Sequence, residues 1–180
     1  MKQLLLIFLA SFCFSCIPLR IAPTIKTDKV MVAKKFKKHL PKRHAFIFED
    51  PKNANEFYNY VNTKYELNHK DVEWNVPFQI DGKTLYFSFH EAEIQDKTLN
   101  FVPIIIDAKL EQGGNDPLLK DAHVSRKGNW YLVITVNDED MKDCLKEDHI
   151  YRQSVLKFLR KTKTEYLNTS NYLDALLRKE

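Results

Sequence analysis

The chain reads as an α+β domain: a mainly antiparallel sheet of four to six strands with one early helix and one or two C-terminal helices. Three observations predict this. Apolar residues alternate on both sides of Asp81-Gly82, a strong hairpin-turn pair. Asn129 to Asn137 carries apolar residues on both faces, as a central strand does. From Ile150 to Leu167 the apolar positions recur at helical spacing.

Taken in order, Ala45-Phe46-Ile47-Phe48 is a short strand. Asp50-Pro51 supplies an N-cap followed by proline at the first helical position, which predicts a helix reaching about Glu66. Phe57, Tyr60, Val61 and Tyr65 line one face of it. Trp74, Val76, Phe78 and Ile80 alternate with polar residues and with Pro77, and Leu85, Phe87 and Phe89 carry the apolar face back after the turn. Thr98 to Leu110 is rich in β-branched residues and predicts another strand, although its C-terminal part can also be read as helix. Gln112 to Asp116 is a loop by composition. From Glu139 the pattern turns helical, and a last turn carries Leu173, Leu176 and Leu177.

A length of 180 residues allows one domain and hardly two. Apolar residues at 44% and charged residues at 29% argue against global disorder. Four glycines exclude a collagen-like chain, and 12 Phe, 8 Tyr and 2 Trp supply ample core material.

The first residues differ from the rest. Lys2 is the only charge before Arg20, and Leu4 to Phe14 is apolar apart from Ser11. A short basic start followed by such a run reads as an export signal, below the ~20 apolar residues that span a bilayer. Cleavage after Ser15 would leave Cys16 first, with Cys13 and Ser15 at −3 and −1. The expected organisation is therefore residues 1–15 as signal peptide, 16–28 as lipidated N-terminus and tether, and 29–180 as a single domain. Twelve residues, Ile17 to Asp28, reach at most ~40 Å. Of three cysteines, Cys13 leaves with the signal and Cys16 takes the lipid. Cys144 remains as a lone thiol beside Asp143, read as an inert, partly buried residue.

Charge is unevenly spread. Seven bases stand between Lys29 and Phe48 with no acid among them: Lys29, Lys34, Lys35, Lys37, Lys38, Lys42 and Arg43. Beside an acyl anchor such a block attracts anionic lipid. Lys34, Lys35, Lys37, Lys38, Lys42 and Arg43 are the candidate membrane contacts. The plainer reading is a solvated loop or edge strand whose lysines oppose aggregation. An exported protein is not expected to bind nucleic acid.

No motif names a reaction. Asp121 and His123 would share a strand face, and His90, Glu91 and Glu93 lie on the second hairpin strand. These five are the candidates for an envelope hydrolase with a dispersed site. There is no HExxH, no paired CxxC and no nucleophile elbow, so no metal or cofactor is expected. His90 is expected solvated, opposite the Phe87 and Phe89 face, and Glu91 and Glu93 are expected solvated at a sheet edge. Trp74 and Trp130 could form a sugar platform but are better read as core.

The stretches CIPLRIAPTIK from Cys16, FIFEDPKNANEFYNYVNTKY from Phe46 and VEWNVPFQIDG from Val72 resemble small flavobacterial lipoproteins. The resemblance implies a lipid-anchored envelope protein and transfers no catalytic residue. Ile17-Pro18-Leu19-Arg20 has no acid, which by analogy with such lipoproteins places the chain on the periplasmic face of the outer membrane. The leading expectation is a non-enzymatic lipoprotein, attached through palmitate-like chains on Cys16, that binds an envelope protein or ligand.

Overall fold

A computed structural model describes residues 16–19, 22–100 and 124–173. They fall into two compact units, one built on Thr24–Glu93 and the chain from Trp130, the other on the chain up to Pro23 and Ile94–Asn129.

In the smaller unit, β1 (Cys16–Leu19) lies antiparallel to the outer part of β5 (Lys83–Asn100), with Cys16 opposite Asn100 and Leu19 opposite Lys97.

The larger unit holds a five-stranded antiparallel sheet and three helices. In chain order these are β2 (Lys29–Val32), α1 (Ala33–Phe36), β3 (His44–Asp50), α2 (Glu56–Lys64), β4 (Val76–Ile80), β5, β6 (Val124–Asn137) and α3 (Arg152–Asn168). The strand order is β4-β5-β6-β3-β2. The expected α+β class is present.

Alternation sets the two faces. Phe46 and Phe48, Val76, Phe78 and Ile80, Leu85, Phe87 and Phe89, and Leu132, Ile134 and Val136 share one buried cluster with the helices. Phe57 of α2 meets Phe89 edge-on at 4.8 Å, and Phe158 of α3 stacks on Phe78 at 4.2 Å. The opposite face buries Ala45, Ile47, Tyr131 and Val133. Tyr131 to Asn137 is buried throughout, so β6 is the doubly covered strand its composition predicts. Asp81 (φ 48°) and Gly82 (φ 74°) are both left-handed, the pairing a two-residue hairpin turn requires.

Four expectations need correction. Asp50 does not cap α2. It is the last residue of β3, opposite Trp130, and its carboxylate accepts from Lys52 N–H and the Tyr166 hydroxyl. The helix begins at Glu56 after a left-handed Asn55 (φ 68°). Trp74 is not core: the left-handed Asn75 (φ 51°) breaks the alternation, and Trp74 is 52% exposed. Residues 138–151 form turns, because the Asp138 and Asp143 carboxylates take local N–H groups of Lys142 and Leu145 away from a helical ladder. Thr98 does not open a new strand as expected: Thr98–Asn100 are the end of β5, which runs unbroken from Lys83, while the rest of Thr98–Leu110, the loop at Gln112–Asp116 and the turn beyond Leu173 lie outside the described residues. At the end of the expected tether, Ile25 N–H donates to Glu49 at 2.7 Å, and Arg160 pairs with Asp28 at 3.1 Å.

Candidate functional site

The basic block becomes a compact lobe. After β2 the chain makes the single turn of α1 and folds back on itself. Ala33 N–H donates to Arg43 O at 2.8 Å, Lys34 N–H to Pro41 O at 2.9 Å and Leu40 N–H to Lys37 O at 3.0 Å. Its inner side is apolar. Ala33 and Leu40 are buried, and Phe36 meets Tyr131 edge-on at 5.1 Å. Tyr131 belongs to the sheet face turned away from α2 and α3. The outer side is cationic: Lys34, Lys35, Lys38 and Lys42 are exposed, with half-buried Arg43 beside them. None of these five side chains has an ion-pair or hydrogen-bond partner among the described residues. Lys37 differs, since its ammonium donates to Glu93 O at 2.7 Å and ties the lobe to β5.

A second feature is an open cleft of about 350 Å³ lined by Lys52, Asn53, Glu56, Thr169, Ser170 and Tyr172. Its charged groups serve the fold. Lys52 Nζ donates to Tyr166 O and Thr169 O, each at 2.6 Å, and so satisfies carbonyls at the C-terminal end of α3. It also lies 4.4 Å from the Tyr166 ring centre. Glu56 accepts from the Tyr172 hydroxyl. Burial raises the Asp50 carboxyl above its ordinary range, against the lowering effect of Lys52 N–H and the Tyr166 hydroxyl.

The hydrolase candidates do not converge. His90 and Glu91 are neighbours on β5 and therefore point to opposite faces. Both Glu91 oxygens lie 3.0 Å from Asn55 N–H, so this carboxylate on β5 holds the start of α2. It is not the free solvated acid expected, and burial raises its pKa. His90 is half-buried against Trp74, with ring centres 5.1 Å apart. Its Nε2 is enclosed without a partner, and burial lowers its pKa, which disfavours the solvated reading. Glu93 shares the Glu91 face of β5. Asp121 and His123 lie outside the described residues. Among the described residues no group of three or more His, Cys, Asp or Glu is placed to hold a metal ion.

Cys144 is buried, and burial together with Asp138 and Asp143 pushes its thiol up to about 12. This is the inert cysteine its sequence neighbours predict. Asp143 also accepts from His44 N–H at 2.8 Å and contacts its ring at 2.9 Å, which fastens the 138–151 turns to β3.

Sequence reasoning located the cations of the lobe but missed its fold, which depends on the long-range Phe36–Tyr131 contact. It also missed the Lys52 bridge, for which Asp50-Pro51-Lys52 carries no local signal. Among the described residues no helix is long and apolar enough to cross a membrane. No protein family, curated protein or solved structure matches the chain.

Proposed function

We propose that the chain is an envelope lipoprotein, attached to the outer membrane on its periplasmic face by acyl chains on Cys16, whose α+β domain binds an envelope protein or ligand and performs no chemistry of its own. The observation that carries this reading is the run from Leu4 to Phe14 ending in Ser15-Cys16, which offers a signal and an acylatable thiol in one stretch. Two acyl chains give stable attachment where one gives only marginal binding.

The dispersed-hydrolase alternative is less well supported, because Glu91 is occupied at the start of α2 and His90 faces the other side of the sheet. A small ligand would have the Lys52–Tyr172 cleft available, with Asn53 and Ser170 at its rim. The reading is tested by growing cells with a labelled palmitate. Label in the chain, absent from a Cys16→Ala variant, is the expected result. An unlabelled chain released into the soluble fraction would overturn it.

A further inference from the structure

We infer that the lobe from Ala33 to Arg43 is the surface through which the domain rests on an anionic lipid bilayer. The inference deepens the lipoprotein reading and rests on it.

Four features of the lobe support it. Its outer side carries four exposed lysines and half-buried Arg43 together with exposed His39, and no acid, while its apolar residues Ala33, Phe36 and Leu40 turn inward. It offers headgroup anions several bases and offers acyl chains nothing to insert. Second, its bases are uncompensated. Lys34, Lys35, Lys38, Lys42 and Arg43 pair with no carboxylate among the described residues, and no acid stands between Lys29 and Phe48 to neutralise them. Third, three backbone hydrogen bonds close the lobe, so the charges are held together and little backbone order is lost on contact. Fourth, the short chain between Cys16 and Lys29 keeps the lobe within reach of the bilayer that the lipid would occupy.

Protection of an edge strand does not account for the arrangement. That role needs a charge in the strand itself, and only Lys29 lies in β2. The four exposed lysines stand beyond the strand, on the lobe.

The test uses the full chain isolated from membranes and reconstituted into vesicles of phosphatidylcholine, with or without phosphatidylglycerol. Lysines are acylated with a water-soluble amine reagent and rates are read by mass spectrometry. Each base near an anionic surface shifts partitioning about fivefold. Labelling at Lys34, Lys35, Lys38 and Lys42 is therefore expected to slow severalfold when phosphatidylglycerol is present, and to recover in high salt. Exposed Lys157 of α3, on the other side of the sheet, keeps its rate and serves as the control. In a K34Q/K35Q variant, altered only at exposed positions, the salt-sensitive protection of Lys38 and Lys42 should weaken. Equal rates in both vesicles, with the protein incorporated, would overturn the inference while leaving the anchor intact. If intact mass shows no acyl chain, the same labelling is run with vesicles added to the protein. Protection then upholds the lobe without the anchor, and its absence overturns both.

Discussion

Replacing Glu165 by alanine tests how the helical layer is held together. Lys64 of α2 reaches both oxygens of Glu165 on α3 at 2.6 Å, and the Tyr60 hydroxyl donates to the same carboxylate at 3.0 Å. The two charged side chains are only 16% and 11% exposed. Removing the carboxylate leaves the Lys64 ammonium without its counter-charge in a largely dry site, with only the Tyr60 hydroxyl oxygen at 3.2 Å to accept from it. Breaking a fully buried pair costs ~3–5 kcal/mol. Residual solvent access here brings the expectation to about 2–3 kcal/mol. With a urea slope of about 2–3 kcal/mol/M for a domain of this size, the midpoint should fall by about 1 M. Urea unfolding followed by tyrosine and tryptophan fluorescence reads this directly. The companion variant, Lys64→Met with Glu165→Leu, removes both charges and keeps the volume, so it should recover most of the loss. A single-variant loss below ~0.5 kcal/mol would mean the pair behaves as a surface pair and does not join the helices. A double variant as unstable as the single would place the loss in shape rather than in stranded charge.

Two other predictions follow from buried groups. Burial raises the Asp50 carboxyl above its ordinary 3.8, so between that value and its folded value the native state binds the extra proton. Its contribution to stability therefore falls as pH rises through that window, and Glu91 adds a slope of the same sign. Asp50→Asn should flatten this dependence in urea midpoints measured across mildly acidic pH, and an unchanged slope would refute the assignment. Cys144, with its thiol pushed up to about 12, should react with a thiol reagent at neutral pH only as fast as the chain opens. A rapid full equivalent from the folded protein would contradict its burial.

Legibility in the sequence followed the range of the interaction. β4, the Asp81-Gly82 turn and the inner half of β5 are visible because alternation and turn chemistry are local. α3 is visible because its buried face, with Val155, Leu159, Thr162 and Tyr166, keeps one period for about three turns. The start of α2 was hidden, since its cap is supplied by Glu91, 36 residues away, while Asp50-Pro51 imitates a local cap. Trp74 was misplaced because alternation was carried through Asn75, whose left-handed backbone reverses the next side chain. At the candidate site the charge of the basic block is plain in the sequence. Its closure into one lobe depends on Pro41 and Arg43 returning to α1 and on Phe36 finding Tyr131, and no local pattern encodes those contacts.

The central claim is attachment through Cys16, and the intact mass of the protein extracted from membranes tests it most directly. The expected result is a chain that begins at Cys16 and carries acyl mass, and a Cys16→Ala variant that carries none. A wild-type chain that begins elsewhere, or begins at an unmodified Cys16, would contradict it.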